Sequence, residues 1–143
     1  MTSRTPAEWH ERARSVVPRT ELWIDGEPTT SKTGERFATV NPATGAVLGE
    51  VAAAGAADVD LAVAAARRAF ADRRWAGVAP GDRKAVLLRL ADLVREHADE
   101  LALLDTLDGG KLIADTTTVD VPGTAAILQW YAETADKVYG EVA

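Results

Sequence analysis

Residues 82–111 read DRKAVLLRLADLVREHADELALLDTLDGGK, and this stretch decides the fold. Val86, Leu87, Leu90, Leu93, Val94, Leu101 and Leu104 recur at the three-and-four spacing of one helix face. Charged residues from Arg83 to Glu100 fill the other faces. Asp82 follows Gly81 and is expected as the N-cap, and Gly109–Gly110 is a stop signal. One unbroken helix here would be roughly 39 Å long at 1.5 Å per residue, with His97–Asp99 as the place for a bend. A rod of that length exceeds the width of a small domain, so it must lie along something.

Outward from this stretch, the downstream chain reads as more helix. Leu112–Thr118 offers a further helical turn, and Asp120-Val121-Pro122 opens a last helix with Asp120 as its cap. Its apolar stripe is expected at Ile127, Leu128, Tyr131, Ala135 and Val138, with Gly140 as the stop. Upstream, Gly55–Arg73 places Val59, Ala62, Val63, Ala66 and Phe70 on one helix face, with Asp58 and Asp60 near the positive end. Before that come short strands: Glu21–Asp25, Arg36–Val40 and Ala46–Ala53. The turn Asn41-Pro42-Ala43-Thr44-Gly45 joins the last two. These loops are too short for parallel crossovers, so the pairing should be antiparallel. Pro6–Val17 reads as a short helix with Thr5 and Glu8 as a capping box. The segment is therefore α+β: a strand unit at about 21–53, then three main helices at about 56–73, 82–107 and 121–139.

The 143 residues are 47% apolar, enough for a packed core, but much of that fraction is alanine. Alanine permits close helix packing while burying little area, so the core should be thin. The net charge of −6 excludes general nucleic-acid binding. The segment before Thr20 is locally basic, four arginines against two glutamates, which reads as a solvated helix face. There is no cysteine, hence no disulfide, thiolate metal site or cysteine nucleophile in this chain. No apolar run reaches membrane-spanning length, and Glu8-Trp9-His10-Glu11 interrupts any leader-like core. A soluble cytoplasmic protein is the expectation.

Gly109-Gly110-Lys111 is not a phosphate loop: Asp105 stands where the first glycine is needed, and Leu112 where Ser or Thr is needed. His10 and His97 are far apart and lack a second ligand at metal spacing. Ser3, Ser15 and Ser31 have no base nearby. The pairs Asp58/Asp60 and Asp99/Glu100 read as helix-end and solvated charges. Asp108 sits at a helix C-terminus, which repels a carboxylate. Lys111 would compensate it, or a cation held by Asp108 and loop carbonyls would. Asp120 reads as a helix cap, or as a carboxylate facing a cationic ligand.

Five stretches in order resemble the N-terminal quarter of the NAD(P)-dependent aldehyde dehydrogenases: LWIDGE (22–27), FATVNPATGAVLGEV (37–51), DVDLAVAAARRAF (58–70), RLADLVREHADELALLDTLDGGK (89–111) and WYAETADKVYGEVA (130–143). The TPAEWHERA, VDVPG and WYAETADKVYGE segments look most like gamma-glutamyl-gamma-aminobutyraldehyde dehydrogenases of putrescine catabolism. The resemblance implies an α/β aldehyde dehydrogenase fold. Residues 1–19 would be a helical extension, and 20–143 an incomplete N-terminal part of the cofactor-binding domain. In that family a cysteine thiolate attacks the aldehyde, hydride passes to NAD or NADP, and a glutamate-activated water releases the acid. Those groups and the glycine-bearing cofactor loop lie beyond the position equivalent to Ala143. This chain alone is thus expected to be inactive, to bind no dinucleotide tightly and to need the remainder of the enzyme. The full-length family is homo-oligomeric.

By the same resemblance, Thr39 and Val40 would offer carbonyls, and Asp108 a carboxylate, to a potassium or sodium ion. Asp120, flanked by Val119 and Gly123, would line a substrate entrance and attract an amino group. Relatives commonly carry proline where this chain has Leu112. Two other readings are a non-catalytic module that pairs with another subunit, such as a separately encoded remainder, and a free-standing helical cation-binding protein.

Overall fold

The computed structural model describes residues 4–137. The Val138 position of the last stripe and the Gly140 stop lie outside them, but the last helix, expected to run to about 139, already ends at Thr134. Helix α1 (Pro6–Ser15) opens with the expected capping box. The Glu8 N–H donates to Thr5 Oγ1, and the Thr5 N–H donates to the Glu8 carboxylate at 2.7 Å.

Four strands form two separate antiparallel hairpins rather than one three-strand unit. β1 (Leu22–Ile24) pairs with β2 (Glu27–Thr29), a strand that stands outside the three expected from the sequence. The cause is the Asp25-Gly26 turn. Both residues have positive φ, 55° and 86°, as a two-residue hairpin loop requires. β3 (Arg36–Val40) pairs with β4 (Val47–Ala52), and the register slips by one residue between Thr39 and Val40. The Arg36 guanidinium ties this hairpin to the chain before β1, donating to Glu50 O, Glu21 Oε1 and Thr20 Oγ1.

Helix α2 (Ala56–Ala71) follows, then α3 (Pro80–Glu96) and α4 (Ala98–Gly109). The stretch expected as one rod over 82–107 is thus two helices, broken at His97, whose φ/ψ of −100°/18° is non-helical. Asp82 is not the N-cap. Pro80 takes the first helical position, which suits its missing N–H, and Asp82 sits within the first turn. Gly110 ends α4 in the left-handed region at φ 73°, the stop expected there. A single turn α5 (Ile113–Asp115) leads through a widened π-helical stretch, Thr116–Asp120, into α6 (Val121–Thr134).

The core is mostly alanine. Ala91, Ala102 and Ala132 are fully buried, and Ala98, Ala125, Leu103 and Val121 nearly so, where α3 lies along α6 and α4 meets the start of α6 and the stretch before it. Only part of the larger apolar faces read from spacing turns inward: Leu87, Val94, Leu104 and Leu128 are half-buried, and Val94 packs against Ala98, Ala102 and Val121. Val86, Leu90 and Leu93 of α3, Val59, Val63 and Phe70 of α2, and Ile127 and Tyr131 of α6 are all exposed, Phe70 at 81%. Each helix has two apolar sides. The small-residue side lets helix backbones approach closely and is used internally. The large-residue side is partly covered on α3, α4 and α6 and open on α2 among the described residues.

Candidate functional site

The candidate residues gather at the C-terminal end of α4. The Thr39 hydroxyl donates to Asp108 Oδ1 at 2.7 Å. Thr39 lies at the β3–β4 register slip, which sets where its side chain points. Two residues on, the Asn41-Pro42 turn packs against the end of α4. A Cβ on Gly110 would stand 2.7 Å from Pro42 Cγ, so glycine is required there by space as well as by φ. The turn is closed by Asn41, whose Oδ1 accepts from the Ala43 N–H and whose carbonyl accepts from the Gly45 N–H. Thr39 and Asp108 are therefore brought together, through the Thr39 hydroxyl rather than its carbonyl. Val40 follows as the last residue of β3.

Lys111 does not compensate Asp108. Its Nζ lies 3.1 Å from Asp120 Oδ2 and 3.4 Å from Asp105 Oδ2. The hydrogen bond to Asp120 raises the lysine above its ordinary pKa, partial burial opposes this, and Asp105 adds to the rise. Nor is Asp120 a helix cap. Its backbone is helical, at φ −67° and ψ −54°, and its side chain makes no capping bond. The helix runs on through it because Thr116–Asp120 forms a wide turn, in which the Val121 N–H bonds the Thr116 carbonyl five residues back. Three threonines sustain that turn. Thr117 and Thr118 Oγ1 donate to the Ile113 and Ala114 carbonyls at 2.6 Å, and buried Thr116 hydrogen-bonds Thr106 at 3.0 Å. Val119 beside Asp120 is 64% exposed, and a Cβ on Gly123 would meet open space. The two sites share one loop: Asp108 ends α4 and Lys111 begins the next segment.

Asp58 is the functional-looking residue whose setting sequence reasoning misjudged. It is not a solvated helix-end charge but is 1% exposed. It accepts from the Gly55 and Lys32 N–H groups at 3.0 Å and from Ser31 Oγ at 3.2 Å. Ser31, expected in a loop without a base, is buried beside it and also donates to the Ala53 carbonyl. The backbone donors of Gly55 and Lys32 hold Asp58 below its ordinary pKa; burial opposes this, and Ser31 adds a smaller lowering. The arrangement joins the 30–35 loop, the end of β4 and the start of α2, a structural role. Its signal in the sequence was a carboxylate three residues after a helix-opening glycine. His97 is exposed at the helix break, with Nδ1 3.5 Å from Glu100. Among the described residues no group of three or more His, Cys, Asp or Glu side chains is gathered as a metal site, and no helix is long and apolar enough to cross a membrane.

Residues 29–143 match the pattern of the aldehyde dehydrogenase family. The chain belongs to the aldehyde dehydrogenase family. It is 47% identical over 137 residues to the NADP/NAD-dependent aldehyde dehydrogenase PuuC of Escherichia coli K12, covering 96% of this chain and 28% of that protein. It is 50% identical over 121 residues to the aminoacetaldehyde dehydrogenase of Pseudomonas aeruginosa, covering 85% and 24%. Its backbone superposes on the crystal structure of gamma-glutamyl-gamma-aminobutyraldehyde dehydrogenase from Burkholderia cenocepacia J2315 with a TM-score of 0.93 at 55% identity, over 96% of this chain and 28% of that one. The chain thus spans about a quarter of the length of its aldehyde dehydrogenase relatives. The α+β arrangement is that of a segment of the aldehyde dehydrogenase fold.

Proposed function

We propose that this chain is the N-terminal part of the cofactor-binding domain of an NAD(P)-dependent aldehyde dehydrogenase. Residues 1–19 form an extension and 20–143 the incomplete domain. The reaction of the whole enzyme would be oxidation of an aldehyde, an aminoaldehyde of the kind met in putrescine breakdown, to the acid. The single observation that carries this reading is the alignment of 96% of the chain onto 28% of its relatives. The absence of cysteine and the open apolar faces of α2, α3 and α6 support the corollary that the chemistry sits elsewhere in the enzyme. The chain alone then turns over no aldehyde and holds no dinucleotide tightly. Its partner is the remainder of the enzyme, and the assembled enzyme is a homo-oligomer acting in the cytoplasm.

Within this reading Asp108 serves a potassium or sodium ion with the carbonyls of Thr39 and Val40. The chemistry of the donors fits: hard oxygens and one formal charge, at a helix C-terminus whose dipole favours a cation. Asp120, with Val119 and Gly123, lines the substrate entrance.

The test has two arms. Pure chain incubated with NAD and an aminoaldehyde should form no NADH; an enzyme-like rate, with contamination excluded, defeats the corollary. An antibody to residues 9–19 should detect a polypeptide several-fold heavier than 15.2 kDa in the native cells. A band only at the size of this chain would favour a module that pairs with a separately encoded subunit, for which the open apolar faces are the observation.

A further inference from the structure

We propose that Lys111 is a built-in competitor for the cationic end of a substrate at Asp120, and so sets how strongly the entrance selects ammonium-bearing aldehydes over neutral ones. The proposal rests on the assignment of Asp120 to the entrance. The lysine Nζ lies 3.1 Å from Asp120 Oδ2, where an incoming ammonium would also seek its partner. Asp105, on the other side at 3.4 Å, shares the lysine. Lys111 therefore belongs wholly to neither carboxylate, and the three groups together keep one net negative charge. Both acids sit on rigid elements, Asp105 on α4 and Asp120 at the end of the wide turn. Lys111 lies in the short connection after Gly110, and its side chain is about half exposed. The lysine, on the longest and most freely rotating side chain of the three, is the member able to shift between the two acids. A substrate ammonium reaching Asp120 displaces it toward Asp105, while a neutral aldehyde leaves it in place. Lys111 would be a positioning residue, acting through Asp120 and touching no reacting atom.

Charge accounts for the direction of the effect. Removing Lys111 leaves two carboxylates without their counter-ion and strengthens attraction for a cation. Neutralising Asp105 gives the lysine to Asp120 alone and weakens it. The pair is partly exposed, so the change corresponds to an exposed ion pair, up to about five-fold in affinity.

The experiment titrates the chain with butylammonium chloride, and separately with butanol, at low ionic strength, following the Asp120 carboxyl and amide by NMR. Lys111→Met should bind butylammonium up to about five-fold tighter than the unaltered chain, and Asp105→Asn more weakly, with neither responding differently to butanol. Lys84→Met removes a lysine from a remote pair with Asp136 and controls for net charge; it should titrate like the unaltered chain. Equal affinity in Lys111→Met and the unaltered chain, or an equal gain in Lys84→Met, overturns the proposal. Asp120→Asn should abolish the response to butylammonium. If it titrates like the unaltered chain, the cation binds elsewhere and the entrance assignment itself fails. Should Lys111→Met lose its dispersed spectrum, Asp105→Asn decides alone: no weakening overturns the proposal.

Discussion

Thr39 and Asp108, 69 positions apart in the sequence, are joined by a 2.7 Å hydrogen bond from the threonine hydroxyl to Asp108 Oδ1. The bond fastens the β3–β4 hairpin to the end of α4. It also orients a carboxylate at a helix terminus whose dipole disfavours it. Thr39→Val removes the donor and keeps the shape. It should lower unfolding free energy by about 0.5–1 kcal/mol, the low end for an exposed bond, as read by urea denaturation. An unchanged midpoint would show that the contact does not fasten the hairpin.

Potassium offers a separate check on the same corner. If Asp108 serves a cation, replacing potassium chloride by choline chloride at equal ionic strength should lower the melting temperature of the unaltered chain. Asp108→Asn should erase that difference. A potassium dependence that survives in Asp108→Asn removes this carboxylate from the assignment.

Gly110 and Gly45 have nearly the same positive φ, 73° and 71°, but different surroundings. A Cβ at Gly45 meets nothing, while one at Gly110 strikes Pro42. Gly45→Ala should cost about 1 kcal/mol from backbone conformation alone. Gly110→Ala should cost clearly more, and Pro42→Ala in the same chain should recover the excess. Equal costs for the two glycines would mean that the turn gives way without resistance.

Acid should weaken the chain through Asp58. Its folded-state pKa is held below the ordinary 3.8 by donors that only the folded chain supplies. Its contribution is therefore complete above the ordinary value and disappears as pH falls through the depressed one. Melting temperature should be level near neutrality and decline below about pH 4. Asp58→Asn should be less stable at neutral pH and show a shallower acid decline. A parallel decline in both proteins would place the acid sensitivity elsewhere, with Glu8, likewise lowered by the Thr5 N–H, as the next carboxylate to replace.

The inward and outward faces can be told apart by truncation. Leu103, 3% exposed, should cost about 2–5 kcal/mol on conversion to alanine. Phe70→Ala and Ile127→Ala, at exposed positions, should change the stability of this chain by no more than about 0.5 kcal/mol. A large loss at Phe70 would mean that the chain covers that face in solution.

Periodicity located every main helix, but it chose the exposed side of α2 and only partly the packed side of α3, α4 and α6, where Leu87, Val94, Leu104 and Leu128 are half-buried. Hydrophobic spacing weighs leucine and valine above alanine, whereas Ala91, Ala125 and Ala132 are the residues that pack. Spacing cannot tell which of two apolar sides meets the same chain. The Asp25-Gly26 hairpin was legible in principle, since Asp-Gly is the residue pair that a two-residue loop selects. So was the start of α3, from Pro80. The resemblance named Thr39 and Asp108 as donors to one cation, and their hydrogen bond to each other was not legible, because a contact between distant segments leaves no spacing to read. The ion pair of Lys111 with Asp120 in place of Asp108 depended on the wide turn at Thr116–Asp120, which no sequence rule applied here would locate.

That wide turn fixes the rotational phase of everything after it. The five-residue bond from Val121 back to Thr116 inserts one residue more than an α-helical turn holds. Deleting one of the exposed residues inside it, Thr118 or Val119, would let the Thr116 carbonyl meet the Val121 N–H across an ordinary α-helical turn and leave α6 in phase. The same deletion within α6 would turn every later residue by about 100° about the axis and swing Ala132 away from α3. A one-residue loss should therefore be tolerated better in the wide turn than anywhere in the regular helix that follows it.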